Sequence, residues 1–330
     1  MKILVIGGGG YVGSLLVERL LKLKYEVKVL DLFLFEKPNI LFNNHKNSSL
    51  LTIIKGDIRD EDLLRNIISS VNVVIHLACI SNDPSFDLDP KLGKSINYDC
   101  FYPLIKICKQ NNIERFIYAS SSSVYGVKDI PNVTENLTLE PLTDYSKFKV
   151  LCEDILLNES GNSICSTILR PATVCGYSKR TRLDVIVNIL TNNAYNKRKF
   201  IINGGSQKRP NIHIEDMVSS YISILKCEKK LVNNQIFNVG YENLNLLEIG
   251  QLVKEVVGED VSIEFEKTND LRSYHISSKK ILDKINFYPK FSIKDAIFSL
   301  INAFEANLLK NSLQDPKYFN IKTMQLSNLV

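Results

Sequence analysis

The sequence predicts an α/β fold, a doubly wound parallel sheet with a smaller, interleaved C-terminal domain. Three observations predict it. A strand, a glycine turn, a helix and a second strand occupy the first 31 residues. Apolar strand runs then alternate with helical stretches as far as Pro171. Beyond Pro171 the pattern changes character, yet one more strand run follows at residues 236–240. Such alternation builds a parallel sheet, because parallel neighbours need a crossover between them, usually a helix.

Lys2-Ile3-Leu4-Val5-Ile6 reads as a buried strand, followed at once by Gly7-Gly8-Gly9-Gly10-Tyr11-Val12-Gly13. A helix is expected behind the glycines, through Leu15, Leu16, Arg19, Leu20 and Leu23. Val27-Lys28-Val29-Leu30-Asp31 is the second strand. In this setting glycines allow a tight turn and close backbone approach to a pyrophosphate, and the helix amino terminus favours its charge. Gly7, Gly10, Tyr11, Val12 and Gly13 are therefore candidate dinucleotide contacts. Asp31 ends the second strand, where a carboxylate can accept ribose hydroxyls and repels a 2′-phosphate. NAD is expected over NADP.

Leu51–Lys55 is the next strand and leads into Gly56-Asp57-Ile58; another strand is expected at 73–79. His76 lies inside that apolar run and reads as a satisfied core histidine. Ser81-Asn82-Asp83-Pro84-Ser85 follows, either the lip of a substrate pocket or a plain connection rich in turn formers.

Phe116-Ile117-Tyr118-Ala119 is a short strand ending in Ser120-Ser121-Ser122-Ser123. Four hydroxyls at a strand's carboxyl end stand where open α/β sheets bind ligands. Tyr145 and Lys149 come some twenty-five residues later, four apart on a helix expected from Ser146 to Leu157. That spacing puts both on one face. A phenol titrates near pH ~10 and becomes a base near neutrality only beside a fixed positive charge. A serine hydroxyl can hydrogen-bond the reacting oxygen while Tyr145 moves its proton.

Composition sets limits. The chain has 330 residues, 45% of them apolar, enough for a large core. A net charge of +5 without dense basic blocks argues against nucleic-acid binding and suits an anionic substrate. Seven scattered cysteines show no zinc spacing, so no metal is expected, and reduced thiols point to the cytoplasm. No apolar stretch reaches the length of a membrane span, and the first residues do not form a signal peptide.

Gly7-x-x-Gly10-x-x-Gly13, the serine run and Tyr145-x-x-x-Lys149 together resemble the extended short-chain dehydrogenase/reductase family, of the nucleotide-sugar epimerase/dehydratase kind. The resemblance runs from the first strand to about residue 300. It implies a Rossmann sheet with NAD as cofactor, a nucleotide-diphosphate sugar as substrate and a homodimer. Tyr145 would be the base, Lys149 its charge partner and cofactor contact, and Ser121 the hydroxyl on the reacting oxygen. Asp57 and Ile58 would hold the adenine; Leu77, Ala78 and Cys79 would line the nicotinamide ribose. Asn97 would support the cofactor side from a helix beside the sheet, unless it is a polar residue on the helix surface. Ser122, Ser123 and Thr173 would face the substrate, although many members carry an asparagine near Thr173. Arg209 matches an arginine that grips the diphosphate; Arg272 is a second candidate clamp, with Asp270 beside it.

The expected NAD-binding domain spans 1–170 plus about 215–243. The substrate-binding domain takes 171–214 and 244–310, and nothing is assigned to the tail 311–330. Relatives that eliminate water carry an acid pair after the hydroxyl residue, where this chain has Ser122 and Ser123. A 4-epimerase or a 4-dehydrogenase is thus favoured over a 4,6-dehydratase or reductase. Residues 170–177 and 209–213 are similar to a bacterial branch that includes GDP-heptose 4-dehydrogenases, which would place the chain in surface-polysaccharide synthesis. The alternative of a different class is a dinucleotide-binding sensor without turnover.

Overall fold

The computed structural model describes residues 1–128, 130–161, 163–268, 273 and 275–327. In chain order the strands are β1 (Lys2–Ile6), β2 (Glu26–Asp31), β3 (Leu51–Lys55), β4 (Val73–His76), β5 (Arg115–Ala119), β6 (Cys165–Pro171), β7 (Thr173–Cys175), β8 (Lys199–Asn203), β9 (Lys208–His213), β10 (Gln235–Val239), β11 (Glu242–Asn245) and β12 (Ser262–Glu266). Seven form one sheet in the order β10-β6-β5-β4-β1-β2-β3, and every pairing in it is parallel. The strand order reverses direction between β1 and β4. Open sheets of this kind bind ligands in the crevice outside the carboxyl ends at such a point.

Successive side chains on a strand point to opposite faces, and β1 shows why its whole run is apolar. Ile3 and Val5 pack on one face with Leu16, Val17, Met217 and Tyr221, from the helices Tyr11–Lys22 and Ile214–Lys226. Leu4 and Ile6 pack on the other with Leu104, Ile105, Cys152 and Leu156, from the helices Phe101–Gln110 and Asp144–Ser160. Both faces of the sheet are covered.

β10 returns to the large sheet beside β6, after the chain has built most of the smaller region. There β11, β9 and β7 form a three-stranded sheet and β12 pairs with β8. Its core lies among the helices Ile186–Lys197, Leu246–Val257 and Ile293–Glu305. No described helix is long and apolar enough to cross a membrane.

Three local details differ from the sequence expectation. The first helix starts at Tyr11, so Val12 and Gly13 already lie in its first turn. β4 stops at His76, because Leu77 and Ala78 both donate to the Ile6 carbonyl and turn the chain into the crevice. His76 is a core residue, as expected, but not a satisfied one. It packs among Phe101, Phe116 and Tyr118 while its Nδ1 has no hydrogen-bond partner among the described residues. Burial, helped by the Lys149 charge, holds its pKa down to about 3, so the ring stays neutral.

Candidate active site

A cavity of about 1090 Å³ opens at the carboxyl ends of β1, β2, β4 and β5 and extends under the smaller region. Its size exceeds the ~300–1,000 Å³ usual for one small ligand. Gly7, Gly10, Tyr11, Val12, Gly13, Asp31, Asp57, Ile58, Leu77, Ala78 and Cys79 line one part of it. Ser121, Ser122, Ser123, Tyr145, Thr173 and Arg209 line the rest. Arg272 and Asp270 lie outside the described residues.

The glycine turn leaves no room for side chains. Gly7 has φ +86°, and a Cβ there would meet the Ala78 nitrogen at 2.5 Å. A Cβ on Gly13 would meet the Gly7 carbonyl oxygen at 2.1 Å. The helix that follows begins at the cavity with no side-chain cap, so its first N–H groups are open to an anion. The Tyr11 hydroxyl donates to the Gly176 carbonyl at 2.5 Å, tying the turn to the smaller region.

Asp31 accepts from the Gly9 and Phe33 N–H groups at 2.9 and 2.7 Å, which orients it on the rim. Burial pushes its pKa up, against those two bonds and the Arg180 charge. Asp57 is held by Arg59, whose hydrogen bonds and charge keep its carboxyl below the usual range. An uncapped helix start, a fixed carboxylate on the next strand and an apolar floor of Ile6, Leu30 and Ile58 fit a dinucleotide.

Asn97 lies in a π-helical turn, Ser95–Asp99, and is buried rather than on a helix surface. Its amide oxygen accepts from Ile80 N at 2.8 Å and its nitrogen donates to Ile80 O at 3.0 Å. That pair of bonds fixes the chain just after Cys79.

Thr143 caps the helix Asp144–Ser160 in a capping box with Ser146, and this sets where Tyr145 enters the cavity. The Thr143 hydroxyl also donates to Asp83 Oδ1 at 2.5 Å, so the 81–85 loop and the helix start are joined. Ser81, Asn82, Asp83 and Pro84 line the cavity. One turn on, the buried Lys149 donates to the Ala119 carbonyl at 2.7 Å, with its nitrogen 5.7 Å from the Tyr145 ring centre.

Tyr145 and Ser121 line the same cavity. Ser121 Oγ also accepts from the Ser123 hydroxyl at 2.8 Å and the Ser123 N–H at 3.1 Å. In the protein by itself burial pushes the Tyr145 pKa well above its ordinary value, and Cys79 and Asp83 push the same way. Deprotonation near neutrality needs further positive charge beside the ring.

Under the serine run lies a buried ion pair that holds β5, β6 and β10 together. Arg170 Nη2 meets Glu153 Oε2 at 2.5 Å, and both side chains are at most 3% exposed. Ser120 donates to Glu153, and Arg170 Nη1 donates to the Tyr125 hydroxyl, which donates to Asn238 Oδ1 at 2.7 Å.

Arg180, Arg182 and Asn320 are among the cavity residues that escaped the sequence reading. Asn320 opens a short helix, Asn320–Leu326, in the tail to which nothing was assigned. The Arg-x-Arg-x-Asp spacing of residues 180–184 was the available signal for the first two. Asn320 had none.

Comparison with known proteins agrees with this arrangement. The model of the NAD dependent epimerase/dehydratase family matches residues 3–240. A UDP-glucose 4-epimerase of Lactobacillus helveticus is 27% identical over 325 residues, covering 91% of this chain and 95% of that protein. An uncharacterised UDP-glucose epimerase of Bacillus subtilis is 29% identical over 309 residues, covering 90% and 96%. Among solved structures, the UDP-glucuronic acid 4-epimerase of Bacillus cereus, with UDP-glucuronic acid and NAD, superposes with a TM-score of 0.82 at 27% identity, covering 93% of this chain and all of that one. A dTDP-glucose 4,6-dehydratase of Streptomyces venezuelae shares the fold, with a TM-score of 0.85 at 21% identity, covering 95% of this chain and all of that one. With the family model matching most of its length, and the glycine turn, the fixed carboxylate, the serine run and Tyr145 in one cavity, this chain belongs to the NAD-dependent epimerase/dehydratase family.

Proposed function

We propose that the protein oxidises C4 of a nucleotide-diphosphate sugar and then either re-reduces it as a 4-epimerase or releases it as a 4-dehydrogenase. The observation that carries this reading is that Ser121 and Tyr145 line one cavity, with Lys149 one helical turn behind Tyr145, and that the described acids lining that cavity are all engaged. Among the described lining residues the acids are Asp31, Asp57, Asp83, Asp184 and Glu264. Each is engaged: Asp31 by backbone N–H groups, Asp57 by Arg59, Asp83 by Thr143, Asp184 by Arg182 and Glu264 by Lys199. Elimination of water needs an acid and a base beyond the tyrosine. Ser122 and Ser123 supply neither near pH 7.

The helix start at Tyr11 would hold the NAD pyrophosphate, Asp31 a ribose, and Tyr145 with Lys149 the nicotinamide side. NAD held there would supply the acceptor for the C4 hydrogen and its two electrons; the Tyr145 oxygen takes the proton of the C4 hydroxyl as C4 becomes a carbonyl. Ser121 hydrogen-bonds the same oxygen and fixes it against Tyr145. Lys149 supports the phenolate by charge. Arg209 engages the diphosphate, since a guanidinium forks onto phosphate oxygens.

Hydride return to the opposite face is the first outcome, because relatives that span nine tenths of the chain include proteins named as UDP-glucose 4-epimerases. Release of the keto sugar is the second, favoured by the likeness of residues 170–177 and 209–213 to the GDP-heptose 4-dehydrogenase branch. The test is mass spectrometry and NMR of products from UDP-, dTDP- and GDP-linked sugars, GDP-manno-heptose among them. A C4 epimer or a 4-keto sugar of unchanged hydration supports the proposal. A product lighter by one water contradicts it, and no turnover on any member of the panel favours the sensor.

A further inference from the structure

Arg180 lines the cavity and is only 4% exposed, yet its Nε has no hydrogen-bond partner among the described residues. Its Nη2 donates to the Asn320 amide oxygen at 2.5 Å, and its guanidinium carbon lies 3.7 Å from the centre of the Phe35 ring. Neither partner carries a formal negative charge. Burial and the Arg182 charge push its pKa down to about 9, against the Asp184 and Asp31 carboxylates, so it is still a cation near neutrality. Folding rarely leaves a charged donor dry and unpaired, because its lost hydration is not returned.

The backbone just before Arg180 is fastened to the helix that opens at the glycine turn. Ser178 Oγ donates to the Tyr11 carbonyl at 2.9 Å and lies 3.0 Å from Ser14 Oγ. Phe35, whose ring the guanidinium covers, stands four residues beyond Asp31 and lines the cavity as well. Arg180 is thus bracketed by the helix start on one side and the chain after β2 on the other. Both brackets belong to the dinucleotide end of the cavity, and neither belongs to β9, which carries Arg209.

Asn320 fixes the other end of the segment. Its side-chain nitrogen donates to Ser81 Oγ at 2.8 Å, and its backbone N–H donates to Asp184 Oδ2 at 2.8 Å. With its amide oxygen on Arg180, this one buried residue of the C-terminal segment clasps residues 81, 180 and 184.

We propose that Arg180 binds the diphosphate of NAD together with the helix start at Tyr11, so that the segment 176–184, clasped by Asn320, straps the cofactor into the cavity. The proposal rests on the cofactor reading above. A dinucleotide's diphosphate is doubly charged, whereas a helix start supplies roughly half a positive charge. A buried guanidinium adds a full charge and can fork onto two phosphate oxygens.

The test is calorimetric titration of the full chain, freed of nucleotide, with NAD, ADP, UDP and NADP, beside a thermal melt without ligand. Arg180→Met should weaken NAD and ADP roughly 10- to 150-fold, the worth of a charge-assisted fork, and leave UDP unchanged. Arg180→Lys should recover part of the loss, because a point charge lacks the fork. Asn320→Ala should weaken NAD in the same direction by less. Should Arg180→Met not fold, Arg180→Gln removes the charge and keeps a donor toward Asn320. Wild-type affinity for NAD and ADP in either folded variant, whatever the melt shows, would overturn the proposal and leave Arg180 structural. A loss confined to UDP would assign the residue to the substrate diphosphate, and one confined to NADP to a 2′-phosphate; either also overturns it. A wild type that binds neither NAD nor ADP would instead overturn the cofactor reading, and the proposal with it.

Discussion

The Lys149 side-chain nitrogen stands 5.7 Å from the centre of the Tyr145 ring, while its hydrogen bond is spent on the Ala119 carbonyl at 2.7 Å. In the proposed reaction the lysine acts on the phenol through space; its position is fixed by the end of β5, the strand that also carries the serine run. One strand end places the hydroxyl and the charge together.

Lys149→Met is expected to displace the pH–rate profile. A base must be deprotonated to work, so kcat/KM rises with pH through the Tyr145 pKa. Burial already pushes that pKa up, and removing a neighbouring positive charge pushes it further. The rising limb should move alkaline by about one pH unit or more. A limb that stays in place in the folded variant contradicts a through-space role for Lys149.

Cofactor choice tests the second strand. With Asp31 fixed on the rim by two backbone N–H groups, NAD should bind at least ~10-fold more tightly than NADP, since a 2′-phosphate would meet a carboxylate. Asp31→Asn should narrow the gap. Calorimetric titration giving equal affinities for the wild type removes Asp31 from this task.

Much of the site was legible in the sequence because its chemistry sits in consecutive residues. The glycine turn, Asp31, the serine run and Tyr145 to Lys149 each lie within one strand end or one helical turn, so local spacing already encodes their geometry. Asn320 could not be read this way. It meets Ser81 across 239 residues, and it lies in a stretch with no periodicity. Arg182 was passed over for a related reason: its partners are Ser81 in another segment and Asp184 two residues on, a spacing that marks no regular element. For Tyr145 the sequence shows the neighbouring charge of Lys149 but not the depth at which the phenol is buried.

Arg209→Ala should raise the apparent substrate constant and leave NAD affinity nearly unchanged. Arg209 lines the cavity apart from the glycine turn, at the second residue of β9. Losing a charge-assisted fork costs about 1.5–3 kcal/mol, or roughly 10- to 150-fold in affinity. Steady-state kinetics beside cofactor titration separates the two effects. A parallel loss of both affinities would make Arg209 structural.

Arg170→Met leaves Glu153 buried without its partner and should destabilise the fold by about 3–5 kcal/mol. Chemical denaturation measures it. The charge of Glu153 would remain beside Ser120, one residue before Ser121, so any folded variant should also lose activity. Stability within ~1 kcal/mol of the wild type would show that the pair is replaceable.

The central claim is that Tyr145 takes the proton as C4 is oxidised. Its most direct test is single-turnover reduction of bound NAD, followed by absorbance with saturating nucleotide sugars, for the wild type and Tyr145→Phe. The substitution removes one hydroxyl and little volume, so a thermal melt and cofactor binding should be preserved. Reduction by the wild type should be at least ~100-fold faster than by the variant, the usual worth of a positioned general base. Undiminished hydride transfer by a folded, cofactor-loaded Tyr145→Phe protein would contradict the account.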